Sequence, residues 1–211
     1  MSRIASAERR ALLVQAALRV IAAKGVSGAT TRAIVAEAGM SLASFHYAFR
    51  SHDEMMRELV RHVVEAQSSA AFAALRPGSD IRTLLRDALH AFLGYIIADP
   101  DHEQVMQELL RYSLRTPGLE VLAKDQYETY RRVASELLVE GAAAVGASWS
   151  LPIDDLARMV VTMTDGVTLA YLVDRDAAAA GRVLDFAADS LAAFAVPTAV
   201  RATPSALENS R

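Results

Sequence analysis

Residues 24–61 read KGVSGATTRAIVAEAGMSLASFHYAFRSHDEMMRELVR, a pattern of two short helices joined by a tight turn, with another starting just beyond. Thr30 can accept the amide protons that the first of these helices leaves unpaired at its N-terminus, and Ile34 and Val35 give that helix an apolar face. Gly39 stands where a left-handed residue must stop it. Met40 bridges the turn, and Ser41 can cap the next helix. Phe45 and Phe49 then fall four apart on one inner face. Leu42, Ala43, Ser44, His46 and Tyr47 are left facing outward, short or hydrogen-bonding side chains with no carboxylate among them. A helix fixed at its turn and free of negative charge outside is suited to the DNA major groove, and the stretch reads as a helix-turn-helix.

Charge follows the same division. Residues 1–62 carry nine Lys and Arg against five Asp and Glu, and residues 63–211 carry thirteen against twenty. A basic N-terminal unit on an acidic body fits a chain that meets phosphate through its first part only. The net charge of −3 argues against indiscriminate coating of nucleic acid.

These residues resemble the TetR family of bacterial one-component regulators. The resemblance covers residues 8–62 and rests on Thr30, Ile34, Gly39, Ser41, Ser44, Tyr47 and Phe49, with Glu54 and Met55 matching the start of the family's fourth helix. Val35, Ala43 and His46 depart from the family's usual alanine, glycine and tyrosine. His52 stands where its phosphate-contacting lysine normally sits. The resemblance implies a homodimer that binds a palindromic double-stranded DNA operator and responds to a small-molecule effector. Expected DNA contacts are Thr30, Thr31, Arg32, Ser41, Leu42, Ala43, Ser44, His46, Tyr47 and His52. In the second half, LRTPGLE and TDGVTLAYL, with HYAFRS in the first, are similar to the branch containing choline- and betaine-responsive regulators.

The periodicity predicts an all-α chain of about nine helices: a first from Glu8 to Lys24, the helix-turn-helix pair, and a fourth from Ser51 to Ala74. Arg76-Pro77-Gly78-Ser79 is the clearest break. Further helices are expected over 80–98, 99–114, 118–145, 154–173 and 177–194. Asp99-Pro100 and Thr116-Pro117 each supply a cap followed by a first-turn proline. Three units follow: a DNA-binding domain over residues 1–50 linked by helix 51–74, an effector-binding and dimerisation domain over 75–196, and a disordered tail over 197–211. No segment alternates like a strand.

The last two helices are too apolar to face water on their outer sides, so burial by a partner is expected. Leu169, Leu172, Val183, Phe186 and Leu191 are the expected interface positions. An effector chamber between the fifth and eighth helices would be lined by Phe92, Tyr95, Leu109, Tyr112, Tyr127, Tyr130, Met159 and Met163, which suits a largely apolar or aromatic effector. Glu108 reads either as a chamber group or as the ion-pair partner of Arg111 on a solvated face. Asp165, inside the eighth helix, reads either as an effector carboxylate or as a structural group paired within the protein. Gly166 beside it permits close helix approach.

The absence of cysteine removes disulfides and thiolate metal sites. The five histidines never pair at metal-ligand spacing. Asp99, Asp101, His102 and Glu103 cluster at a helix start, where the helix dipole draws acids anyway. There is no Gly-rich phosphate loop and no nucleophile elbow, so neither an enzyme nor a cofactor is expected. No window contains the roughly 18 consecutive apolar residues of a membrane span. The N-terminus MSRIASAERR lacks an apolar signal core, and a cytoplasmic location is expected. A ligand-independent DNA-binding dimer, with a filled core and no effector response, fits many of the same features.

Overall fold

Thr30, Ser41 and Asp99 cap their helices as expected, whereas Thr116 closes the sixth helix by donating its hydroxyl to the Tyr112 carbonyl at 2.8 Å and the next helix begins only at Glu120. The computed structural model describes residues 5–74 and 79–198, and among these the chain forms nine α-helices and two short strands. Helix α1 spans Ser6–Lys24 and a 3₁₀ turn follows at Val26–Gly28. Helices α2 (Thr31–Glu37) and α3 (Leu42–Ala48) form the helix-turn-helix, and α4 runs over His52–Ala74. Helices α5 (Ile81–Ala98), α6 (Pro100–Arg115) and α7 (Glu120–Ala144) come next, followed by strand β1 (Ala147–Trp149). Helices α8 (Ile153–Asp174) and α9 (Ala177–Ala192) and strand β2 (Ala195–Pro197) complete the described chain.

Three of these expectations need correction. Strands are present: β1 and β2 pair antiparallel, with Ser148 opposite Val196. They were hidden because each is only three residues long and its partner lies far along the chain. The ordered region also passes the expected boundary at 197, since the Thr198 amide donates to the Gly146 carbonyl at 2.9 Å. The chain leaves α9 at Ala192 rather than Phe194 because the Phe194 carbonyl accepts from the Ser150 amide at 2.9 Å. Most of the expected break at Arg76–Ser79, and the tail beyond residue 198, lie outside the described residues.

Two cores organise the helices. The first joins α1–α4 through Leu13, Ile21, Ile34, Phe45, Phe49 and Leu59, and it extends onto Val105, Met106 and Leu109 of α6 and Leu122 of α7. The second region packs α5, α8 and α9 around Ile96, Val167 and Leu184, beside a cluster of α7 and α8 residues around Leu138 and Leu156. Helix α6 therefore has a stake in the N-terminal core although it lies outside the N-terminal sequence unit.

Helix α8 is long and apolar enough, by length and average composition, to cross a membrane. The uninterrupted-run criterion passed over it because Asp165 divides it. One face of α8 packs against α7 and α9, while Met159, Leu169 and Val173 on its outer side remain exposed in the single chain.

Candidate nucleic-acid interface and internal cavity

The turn between α2 and α3 is built from local chemistry. Thr30 Oγ1 accepts the Ala33 amide at 3.2 Å, and Ser41 Oγ accepts the Ser44 amide at 3.2 Å. Gly39 adopts φ +64°, a conformation that costs side-chain-bearing residues energy, and the Met40 amide closes back onto the Val35 carbonyl at 2.8 Å. Phe45 and Phe49 are buried with ring centroids 5.6 Å apart, which anchors α3 from beneath.

Above that anchor, Ser41, Leu42, Ala43, His46 and Tyr47 are exposed, and Ser44 is half-buried with its hydroxyl 3.0 Å from that of Ser41. Tyr47 is the most open of them at 76% exposure, with the Arg9 guanidinium 5.6 Å from its ring centroid. Thr30 and Arg32 are exposed beside them, and Thr31 is half-buried. His52 departs from the expected phosphate contact. Its Nε2 lies 2.7 Å from the Ala29 carbonyl, which can only accept, so the ring spends its donor on tying α4 to the loop before α2.

Arg10 has a role that the sequence did not disclose. Its Nη1 donates to the Ala48 carbonyl at 2.6 Å and to Glu54 at 3.1 Å, and its Nη2 donates to Glu58 at 3.2 Å. The guanidinium also stacks over the Phe49 ring at 4.2 Å. One side chain of α1 thereby fixes the end of α3 and the first turns of α4. Glu54 in turn accepts the Arg50 amide at 2.8 Å. That backbone bond and the one from Arg10 hold the Glu54 carboxyl below its usual range. At Glu58 burial pushes upward, but hydrogen bonds from Arg61 and Arg10 outweigh it and the net direction is down. Periodicity could flag Arg10 only as a charge on α1, because all its partners lie 38 or more residues away.

A cavity of about 130 Å³ lies among α4–α9. Its walls are mostly apolar, including Leu84, Leu89, Phe92, Leu137, Val161 and Leu191, with Glu103, Gln107, Tyr130, Thr164 and Asp165 as polar groups. Of the side chains expected to line a chamber, Phe92 and Tyr130 do so. Tyr127 stands behind the wall and donates its hydroxyl to Asp165 Oδ2. Tyr95 and Met163 are half-buried and do not line the cavity, and Met159 is partly exposed on the outside of α8. Leu109 and Tyr112 face the other way, into a separate cleft of about 290 Å³ against Val26, Thr30 and His52.

Glu108 is likewise outside the cavity and makes no pair with Arg111. Its Oε1 accepts the Val26 amide at 2.8 Å, closing a bond from α6 to the turn after α1. Gly25, at φ +73°, makes room for it, since a Cβ there would meet that oxygen at 2.8 Å. Asp165 belongs to the cavity wall. Burial pushes its carboxyl above the usual range, and the Tyr127 hydrogen bond only partly offsets this. The Tyr130 hydroxyl is held protonated by burial first and then by the charge of Glu103, while Gln126 donates to it at 2.8 Å.

Two family profiles match the chain. The profile for bacterial regulatory proteins of the tetR family covers residues 13–59, and the profile for the C-terminal region of BetI-type transcriptional repressors covers residues 81–196. The chain belongs to the TetR family. Among its relatives is the nicotine-responsive transcriptional repressor HdnoR of Paenarthrobacter nicotinovorans, 28% identical over 172 residues, which span 82% of this chain and 88% of that protein. The solved structure of the multidrug binding protein EbrR complexed with imidazole is 26% identical with a TM-score of 0.60, covering 85% of this chain and 94% of that one. A TetR-family regulator from Rhodococcus sp. shares the fold at a TM-score of 0.73 and 19% identity, over 88% of this chain and 98% of that one.

As a TetR-family transcriptional regulator, the chain carries its helix-turn-helix on the N-terminal core and a cavity among α4–α9, with α6 contributing side chains to both that core and the cavity wall. The outward face of α8 and α9 carries Leu169 (43% exposed), Val173 (80%), Val183 (50%) and Phe186 (68%), while Leu172 is half-buried. Leu191 departs from the expected interface. It is buried to 1% exposure and lines the cavity, because α9 turns Leu184, Ala187, Ala188 and Leu191 inward and Val183 and Phe186 outward. Gly166 is exposed, and nothing in the chain approaches within 4 Å of where its Cβ would be, so it serves no close helix approach within the single chain. The expected acidic cluster at residues 99–103 caps α6 through Asp99, which accepts the His102 amide at 3.2 Å.

Proposed function

We propose that this TetR-family regulator is a ligand-responsive repressor. It binds a palindromic operator as a homodimer in the cytoplasm and leaves it when a small molecule fills the α4–α9 cavity. The units of the reading are a DNA-binding domain over residues 1–50 joined by α4 to an effector and dimerisation domain. The observation that carries the induction is the position of α6. Glu103 and Gln107 reach the cavity, while Val105, Met106 and Leu109 on the same helix are packed in the N-terminal core. One turn away, Glu108 holds the Val26 amide beside the helix-turn-helix. A ligand that displaces α6 at the cavity must therefore disturb the N-terminal unit, provided it binds the released arrangement better than the DNA-bound one. The names of HdnoR, a nicotine-responsive repressor, and of EbrR, a multidrug binding protein, support a responsive regulator here.

Operator contact falls to Thr31, Arg32 and the exposed face of α3. Replacing Arg32 by Ala should weaken binding to every sequence and reduce the salt slope by about one. Replacing Ser44 or Tyr47 should instead change which sequence is preferred. Fluorescence anisotropy across a salt series separates the two outcomes. Unchanged affinity in all three variants would sink the assignment.

Glu108 tests the coupling. With an effector bound, a typical coupling lowers operator affinity about 5- to 150-fold. Glu108→Ala removes the α6 bond to Val26 and should shrink that factor toward one while effector affinity, measured by calorimetry, stays near wild type. Full induction in the variant would move the coupling path elsewhere.

A further inference from the structure

We propose that the cleft between the N-terminal unit and helices α6 and α7 is a second small-molecule site, taking a neutral two-ring aromatic alcohol of the naphthol class. The inference is independent of the effector reading of the α4–α9 cavity, because the two share no described lining residue.

Position and size set the first limit. One side of the cleft comes from Val26, Ala29 and Met56 of the N-terminal unit, and the other from Leu109 of α6 and Leu122 of α7. The half-buried Tyr112 adds an aromatic ring. A concave place between two structural units, mostly apolar with a few convergent polar groups, is the usual form of a small-molecule site. An apolar void of about 150 Å³ admits a benzene ring, and this cleft of about 290 Å³ has room for two fused rings.

Hydrogen-bonding groups then decide the class. The Tyr112 and Ser27 hydroxyls and the Asp53 carboxylate line the cleft and have no partner among the described residues. Thr30 Oγ1 accepts the Ala33 amide and still has its own proton to donate. His52 gives its Nε2 proton to the Ala29 carbonyl, so Nδ1 of the neutral ring is an acceptor. The cleft therefore offers donors and acceptors together, and a ligand hydroxyl, which donates one bond and accepts others, answers both. Charged ligands fare worse. No described lining residue is Lys or Arg, so an anion would meet the Asp53 carboxylate with nothing to offset it. A cation gains little, because Asp53 is exposed and its attraction is screened by water.

Naphthol, naphthalene and naphthoate keep the fused rings and differ only in the group attached. Met56 lines the cleft, and no described residue lining the α4–α9 cavity is a methionine. The Met56 methyl signal, followed by NMR on the full chain with isotope-labelled methionine methyl groups, is therefore a local readout of this site. Naphthol should shift that signal saturably and bind at least about tenfold more tightly than naphthalene, with no saturable shift from naphthoate. Tyr112→Phe, which keeps the ring and removes the hydroxyl, should cost naphthol about three- to tenfold and leave naphthalene unchanged. Asp53→Ala should act in the same direction. Naphthalene or naphthoate binding as tightly as naphthol would overturn the inference. So would a naphthol affinity unaltered in both variants, or a Met56 signal that stays unmoved up to the solubility limit. Naphthol binding seen by calorimetry while the Met56 signal stays in place puts the ligand elsewhere in the chain and overturns the site.

Discussion

A chain carrying Phe186→Glu should run as a monomer in light scattering at micromolar concentration and lose operator affinity by at least about two orders of magnitude. Phe186 is 68% exposed in the single chain, and Val183 on the same helix and Leu169 and Val173 on α8, which packs against it, are exposed too. Several large apolar residues left facing water on two packed helices are the kind of surface that another chain covers. In an isologous pair the same patch meets itself, so one substitution enters the interface twice. Burying a phenylalanine contributes about 1.5–3 kcal/mol, and the glutamate would bring an unpaired charge into each half. Operator affinity follows because two half-sites read by a linked pair bind far more tightly than one. Leu191→Glu should behave differently. That side chain lies inside the protomer, so the variant should lose thermal stability rather than change its assembly. A wild-type mass of one chain at micromolar concentration would refute the dimer outright.

The contrast between Phe186 and Leu191 shows where sequence reasoning reached and where it stopped. Periodicity identified α9 as apolar, but α9 has two apolar stripes, and only the neighbouring helices decide which faces the core. The same limit misplaced Tyr95 and Tyr112, though not Tyr130. Helix α6 presents Glu103 and Gln107 to one core and Leu109 to another, while Tyr112 lines the cleft on the N-terminal side. No helical wheel distinguishes two cores when both are apolar. Glu108 and Arg111 stood at the i, i+3 spacing of a surface ion pair, yet the Val26 amide, 82 residues distant in sequence, took the carboxylate. Features fixed by adjacent residues were legible. Thr30, Gly39 and Ser41 were read from their own chemistry, and each acts within four or five residues of itself. Asp165 lay between these cases. Its burial followed from its place in an apolar helix, but its choice of Tyr127 as partner and its place on the cavity wall required the packing of α7 against α8.

Arg10 is the strongest case of a residue visible only in three dimensions, and replacing it by Leu should lower operator affinity about tenfold or more without unfolding the chain. The substitution keeps an apolar stem against Phe49 but removes the bonds to Ala48, Glu54 and Glu58. Helix α3 would then keep its N-terminal cap at Ser41 and its phenylalanine anchor, yet lose the tie that fixes its far end relative to α1. A recognition helix needs its orientation as well as its fold, since base contacts fail when side chains are misplaced by an ångström or so. The same brace implies an acid limit. Glu54 and Glu58 titrate below the usual carboxylate range in the folded chain, so their bonds contribute stability above about pH 4.3 and lose it as pH falls through the lower folded values. Thermal unfolding of the wild type should therefore decline on acidification below about pH 4, and the decline should be shallower in Arg10→Leu, where the brace is already absent. Anisotropy with operator DNA at neutral pH and calorimetric melting across the acid range check the two halves. If the variant binds DNA as the wild type does, the end of α3 is held by Phe45 and Phe49 alone, and Arg10 is a surface charge whose geometry has no consequence for binding.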